Sequence, residues 1–209
     1  MTEIFSLEKF KELTNDQKKA FEMFFAWLKK PSNGIPFVLS GNAGSGKTFL
    51  STKFLKLVDE QGLCWTVVAP THKAVGVLND ALVAEDLRPT WYPSTIHRLL
   101  RLKLKRKGDL EICEETEQTE NSLEQLKLVL VDESSMIDSK LLEIVIRCAQ
   151  RFKTRLVFIG DSAQLPPVGE TISPIFTIKR SIKAELLEVV RHKGPVLKIA
   201  SLFRNEQLP

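Results

Sequence analysis

The sequence predicts an α/β fold: a mostly parallel sheet with helices on both faces, carrying a small inserted β-hairpin. Three observations lead there. Four short apolar runs, at 37–39, 66–69, 128–131 and 156–159, are each followed by polar or glycine residues, as buried parallel strands are. Helical periodicity fills the intervals over 49–60, 73–83 and 140–151. Between residues 98 and 125 that alternation stops and a period of two replaces it.

The elements follow in order. Residues 1–13 form a short leading segment, and Thr14-Asn15-Asp16-Gln17 then has the S/T-x-x-E/Q form of a capping box. A helix is expected from there to about Lys30, with Phe21, Phe24, Phe25 and Leu28 on one face. Residues 31–36, rich in Pro, Gly, Ser and Asn, make a loop before the first strand. In such a sheet a ligand binds at the carboxyl ends of the strands. All four predicted strands deliver a polar cluster at that end, so one shared site is expected. In the interruption, Leu100, Leu102 and Leu104 alternate with Arg101, Lys103 and Lys105. Lys107-Gly108-Asp109 then turns, and Leu110 and Ile112 resume the alternation, which reads as a hairpin. The stretch from Glu114 to Asn121 reads as a mobile loop, and Val196–Phe203 as the start of another helix. Residues 204–209 run off without a closing element, so a piece of a longer protein is expected.

Composition narrows the class. The 209 residues are 43% hydrophobic and 27% charged, ordinary for a globular domain and unlike a disordered tail, a collagen or a coiled coil. No apolar run approaches the roughly 18 residues that cross a bilayer. The first 13 residues carry Glu3, Glu8 and Glu12 and no apolar core, so a signal peptide is not expected and a cytoplasmic location is. Cys64, Cys113 and Cys148 are scattered, with no C-x-x-C pair, which argues against a disulfide framework or a structural zinc. The net charge of +4 decides little, but its distribution is uneven. Six basic residues and no acid lie between Arg98 and Lys107, and six acids and no base between Asp109 and Glu120.

Three motifs carry chemistry. Gly41-Asn42-Ala43-Gly44-Ser45-Gly46-Lys47-Thr48 fits G-x-x-x-x-G-K-[ST] and sits between a predicted strand and a predicted helix, the context this phosphate-binding loop requires. Glycines let the backbone wrap a phosphate, and the helix N-terminus adds a positive end. Lys47 would neutralise the β- and γ-phosphates, and Thr48 would offer its hydroxyl to Mg²⁺. Val129-Leu130-Val131-Asp132-Glu133 is an apolar strand ending in two acids. Asp132 would hold Mg²⁺, and Glu133 would orient and deprotonate an attacking water. A third strand ends in Gly160-Asp161 and continues Ser162-Ala163-Gln164-Leu165-Pro166-Pro167-Val168. The prolines fix the loop, and Gln164 can contact a γ-phosphate without carrying charge. A purely structural turn is the other reading of this segment.

With these motifs in hand, the chain resembles the first motor domain of a superfamily 1 DNA helicase of the RecD/Dda type, a P-loop NTPase with a RecA-like fold that moves 5′→3′. Leu13-Thr14-Asn15-Asp16-Gln17 resembles the Q-motif, whose glutamine reads adenine, although Gln17 also completes the capping box. The glycine-rich loop is motif I. Ala69-Pro70-Thr71-His72-Lys73-Ala74 resembles motif Ia and Ser94-Thr95-Ile96-His97 motif Ib. Asp132-Glu133-Ser134-Ser135-Met136 resembles motif II, and 160–168 motif III. Leu186–Arg191 resembles the stretch whose arginine reaches the γ-phosphate.

The resemblance implies a catalytic set of Lys47, Asp132, Glu133, Gln164 and Arg191. It implies ATP held by Gln17, Gly41, Ala43, Gly44, Ser45, Gly46, Lys47, Thr48 and Phe49, with Mg²⁺ on Thr48 and Asp132. Pro70, Thr71, His72, Lys73, Thr95 and His97 would meet single-stranded DNA; Thr71 can equally cap a helix, and the two histidines can be plain loop residues. Trp91 and Tyr92 either stack on bases or pack in the core. The hairpin lies beside DNA in this family, yet its tip shows no aromatic wedge, and its charges can equally satisfy each other. The expected division is a motor domain in two parts, 1–97 and 126–209, around the insertion 98–125, with a second motor domain lying outside this chain. Implied partners are single-stranded DNA, duplex junctions and that second domain. A single-strand binding protein and replisome or recombination partners stay open, no membrane is involved, and a bacterial or phage source is expected. No [NT]-K-x-D guanine-reading motif is present, which disfavours a GTPase. Another P-loop NTPase acting on nucleic acid, or a non-unwinding DNA-binding module, remains the alternative.

Overall fold

The computed structural model describes residues 13–107 and 110–188. Its first element, α1 (Asn15–Lys29), starts where the capping box predicts. The Thr14 hydroxyl accepts from the Gln17 amide at 3.3 Å, and the Thr14 amide donates to Gln17 Oε1 at 3.1 Å. Ala20, Phe21, Phe24, Trp27 and Leu28 form the buried face, while Phe25 is pushed to the rim. Phe24 stacks on Phe54 with ring centroids 4.1 Å apart and meets Phe37 edge-on. The far end of α1 is closed by Arg155, whose guanidinium donates to the carbonyls of Leu28 and Lys30.

Strands and helices then alternate: β1 (Phe37–Gly41), α2 (Lys47–Glu60), β2 (Trp65–Ala69), α3 (His72–Ala84), β3 (Ser94–Thr95) and the one-turn α4 (Ile96–Leu99). A two-stranded hairpin of β4 (Lys103–Lys107) and β5 (Leu110–Glu114) follows. The remaining elements are β6 (Leu128–Val131), α5 (Ser139–Phe152), β7 (Arg155–Gly160), the one-turn α6 (Pro174–Thr177) and β8 (Ile182–Leu186). The six-stranded sheet has the order β3-β2-β6-β7-β1-β8, and each pairing is parallel.

Each central strand carries a nearly continuous apolar run because both faces are covered. Phe37, Leu39, Val67, Leu128, Leu130, Val157 and Ile159 point to the layer of α1, α2 and α3. Their alternates Val38, Val68, Val129, Val131, Leu156 and Phe158 point to the layer of α4, α5 and α6. This is the predicted three-layer arrangement. Two strands escape the search for apolar runs. β3 has only two residues, both polar. β8 is a sheet edge and alternates, with Ala184 and Leu186 buried and Lys183 and Glu185 exposed.

The insertion needs two corrections. Leu100 and Leu102 are not strand residues. Thr95 caps a helical turn, its hydroxyl accepting from the Arg98 amide, and Leu99 and Leu100 drop into the core. The strand begins only at Lys103, after Arg101 takes a left-handed φ of 55°. The stretch 114–121, expected as a mobile loop, packs along α5. Thr119 is fully buried, its hydroxyl accepts from the Thr116 amide at 2.8 Å, and its carbonyl accepts from the Cys148 thiol. Glu115 pairs with Arg147 and Glu120 with Arg151. The predicted helix at 196–203 lies outside the described residues.

Among the described residues no helix is long and apolar enough to cross a membrane. One helical residue works against its own element. Gly76 sits exposed within α3, and a Cβ built there has no atom within 4 Å. Gly76→Ala therefore removes backbone entropy from the unfolded chain without a clash. It is expected to raise stability by about 0.5–1 kcal/mol in urea unfolding.

Candidate nucleotide and nucleic-acid site

The loop after β1 has the backbone that phosphate wrapping demands. Gly44 and Gly46 stand at φ 80° and 82°, the left-handed region, and Gly46 opens α2 as its N-cap. Crowding adds a second requirement for glycine. A Cβ on Gly46 would lie 2.5 Å from Gln17 Nε2, and one on Gly41 would lie 2.7 Å from Ser45 Oγ. Lys47 arches back over the loop, its Nζ donating to the carbonyls of Gly41 at 2.8 Å and Asn42 at 3.0 Å. Ser45 Oγ is buried and has no hydrogen-bond partner among the described residues. Ala43 is exposed at the crest, and Thr48 and Phe49 lie half-buried in the first turn of α2. A tight cradle, a helix N-terminus, an ammonium group and an orphaned hydroxyl suit a phosphate chain.

Gln17 is buried, and both ends of its amide are engaged. Oε1 accepts from Thr14, and Nε2 donates to the Ser45 carbonyl at 3.0 Å. The capping-box reading of this residue is thus in place, and the same side chain ties α1 to the loop.

Asp132 and Glu133 leave the end of β6 on the same edge of the sheet. β6 is separated from β1 by β7 alone. Asp132 is half-buried, and its Oδ1 accepts from the Glu133 amide at 2.9 Å. Burial pushes its carboxyl pKa upward and the charge of Glu133 adds to this; the Glu133 amide and the Lys47 ammonium pull it back. The acids and the cradle therefore share one electrostatic environment. Glu133 itself is exposed, with φ 49° and ψ 32°, a left-handed conformation that side chains rarely adopt. Two buried serines hold it there. Ser134 Oγ donates to the Ile159 carbonyl at 2.9 Å, and Ser135 Oγ donates to Gln164 Oε1 at 2.8 Å. Gly160 makes this docking possible, since a Cβ there would lie 3.1 Å from both Ser134 Oγ and the Ser135 amide.

Gln164 is carried by a turn after β7 in which the buried Asp161 accepts from the Ala163 amide through Oδ1 and from the Gln164 amide through its carbonyl. Beyond it, Leu165 and Val168 are fully exposed.

The motif Ia and Ib residues collect at the other end of the sheet, where Ala69 of β2 is in register with Thr95 of β3. Thr71 caps α3, its hydroxyl accepting from the Ala74 amide, and Thr95 caps α4 in the same way. Pro70 is half-buried, and His72 and Lys73 are exposed on the first turn of α3. His97 is half-buried; burial lowers its pKa, opposed by the charge of Asp138. Trp91 packs against the core, whereas Tyr92 is 89% exposed. The hairpin's charges meet each other at Lys105–Glu114.

Arg191 lies outside the described residues. Among the described residues no cluster of three or more His, Cys, Asp or Glu side chains could hold a metal by itself. Three residues named within the motifs, but given no role from sequence, prove to hold the site together. Ser134 and Ser135 carry no signal beyond their place after the acids. Asp16, two residues after the N-cap, accepts the amides of Leu187 and Glu188 on Oδ2, at 2.9 and 3.1 Å, where the chain leaves β8.

Comparison with known proteins gives the family and agrees with the fold. A family model described as an AAA domain matches residues 12–207. The ATP-dependent DNA helicase dda of Enterobacteria phage T4 is 33% identical over 203 residues, which cover 94% of this chain and 43% of that protein. A solved structure of two coordinating Pif1 helicases unwinding forked duplex DNA superposes with a TM-score of 0.63 at 22% identity, covering 94% of this chain and 49% of that one. Bacteroides sp. Pif1 in complex with ADP-AlF4 gives a TM-score of 0.61 at 21% identity, over 94% of this chain and 47% of the other. The chain thus spans less than half the length of these proteins.

Proposed function

Because the chain belongs to the AAA domain family and has the fold of a superfamily 1 helicase's first motor domain, we propose that it binds and hydrolyses ATP to drive movement on single-stranded DNA. The observation that supports this reading is a glycine cradle at the end of β1 and a pair of acids at the end of β6 on one edge of the sheet, with the Lys47 ammonium close enough to act on the Asp132 carboxyl. The backbone amides of 41–48 and the N-terminus of α2 bind the phosphates, and Lys47 exchanges its carbonyl partners for phosphate oxygens. Ala43 and Phe49 line the cradle, and Gln17 holds it to α1. Gln17 is also the proposed reader of the adenine, a role in which its amide would exchange a partner within the chain for the base. Glu133 accepts the proton of the attacking water, and Gln164 contacts the γ-phosphate without charge. Arg191 is the proposed cationic partner of that phosphate. Mg²⁺, when bound at Thr48 and Asp132, would supply charge neutralisation between the phosphates.

Pro70, Thr71, His72, Lys73, Thr95 and His97 form the proposed DNA face, two and three strands from the acids' neighbour β7. Contacts there go to the backbone, so sequence preference is weak. We assign 1–97 and 126–209 to the motor proper, with 98–125 as an insertion. A second motor domain supplies the other wall of the nucleotide cleft, and duplex junctions, a single-strand binding protein and replication or recombination factors are the partners of the whole protein. Movement is 5′→3′, in a cytoplasmic setting.

The test compares ATP with GTP, with and without single-stranded DNA. The 209-residue chain is expected to prefer ATP, to hydrolyse it slowly and not to unwind duplexes. Lack of an arginine from a second domain costs about 10³–10⁵ in rate. Rapid unwinding by this chain alone, or a preference for GTP, would overturn the reading.

A further inference from the structure

We propose that Ser135 is a positioning residue that sets which end of the Gln164 side-chain amide is presented to the nucleotide. This rests on the ATP reading above. An amide has an acceptor end and a donor end, and a triphosphate terminus offers acceptors only. Gln164 is useful there only if its NH₂ branch faces the phosphate.

The structure supplies the selection. The Ser135 hydroxyl donates to Gln164 Oε1 at 2.8 Å, so the oxygen branch is held against motif II and the planar group directs Nε2 to the other side. Ser135 is fixed in place, so its hydroxyl stays within reach of the Gln164 oxygen. It is fully buried, the neighbouring Ser134 is fastened to the Ile159 carbonyl, and the Ser135 amide lies against Gly160 at a distance that a Cβ would crowd. Gln164, in contrast, is exposed on a loop and has no such restraint of its own apart from the Asp161 turn. Without the serine hydroxyl, rotation of the amide by half a turn brings Oε1 to the phosphate, which repels it. One buried hydroxyl thereby links the strand end that bears the acids to the loop that reads the γ-phosphate.

The experiment measures affinity for a fluorescent non-hydrolysable ATP analogue and for the matching ADP, with Mg²⁺, on the 209-residue chain. Ser135→Ala is expected to lower the preference for triphosphate over diphosphate about tenfold, the size of one hydrogen bond to a charged group, with ADP affinity unchanged. In a Gln164→Ala background the same substitution should have no further effect on that preference. A second variant avoids touching the buried serine: Gln164→Glu puts an oxygen on both branches and should bind the triphosphate more weakly than Gln164→Ala does. An intact preference in Ser135→Ala, an equal loss with or without Gln164, or indistinguishable Gln164→Glu and Gln164→Ala variants would each overturn the assignment while leaving ATP binding standing. A parent chain that binds neither nucleotide would overturn the ATP reading, and this inference with it.

Discussion

Glu133→Gln is expected to stop turnover, by about 10³-fold in phosphate release, while leaving ATP affinity within a few-fold of the parent chain. Glutamine matches glutamate in size, and residue 133 is exposed, so no packing changes. The only loss is the carboxylate proposed to accept a proton from the attacking water. Unchanged turnover would remove Glu133 from the mechanism. The left-handed backbone of this residue adds a second arm to the measurement. Glu133→Gly should be equally inactive yet more stable by about 1 kcal/mol, because glycine carries no penalty at φ 49°. A residue whose removal helps the fold and ends the chemistry is held in place for function.

Asp132→Asn is expected to separate stability from binding in the same direction. Its carboxyl pKa is raised in the folded chain, chiefly by burial. The folded state then holds its proton more tightly than the unfolded state does. Stability from the neutral acid is complete below the ordinary aspartate range and is lost as pH rises through the raised value. At neutral pH the ionised side chain therefore costs stability, and asparagine relieves that cost while keeping an Oδ1 to accept the Glu133 amide. The variant should melt above the parent chain at pH 7, with the difference vanishing as pH falls below the ordinary aspartate range of about 4. Its nucleotide affinity should lose its Mg²⁺ dependence, and affinity with Mg²⁺ present should fall by roughly 100-fold. Titrations with and without EDTA check this; a variant that still responds to Mg²⁺ would move the metal site elsewhere.

Much of this arrangement is written in short sequence windows. The four central strands are readable because burial on both faces makes them mostly apolar, and α1 is readable because Thr14 and Gln17 satisfy each other's backbone locally. β8 is not readable in the same way, since a sheet edge leaves Lys183 and Glu185 in water and dilutes the apolar run. Leu100 and Leu102 mislead because leucine at period two also fits a helical turn that ends and doubles back into the core. The stretch around Thr119 reads as a loop because its anchoring is long-range, to Cys148 and the arginines of α5. The site divides likewise. The cradle and the acids are local patterns, whereas the Ser135–Gln164 link joins residues 29 positions apart, and the Asp16 link to Leu187 spans 171. Pairing across such separations leaves no mark in either window.

The strand order has a mechanical consequence. With neighbouring strands spaced about 4.8 Å apart, the four steps from β1 to β3 place the nucleotide cradle and the outermost proposed DNA anchor roughly 19 Å from each other. A departing phosphate and a gripped DNA phosphate are too distant to sense each other directly in salt solution. On the proposed function, hydrolysis would then have to be signalled by a displacement, and β7 and β6, with their joined loops, are the stretch of sheet between the two sites.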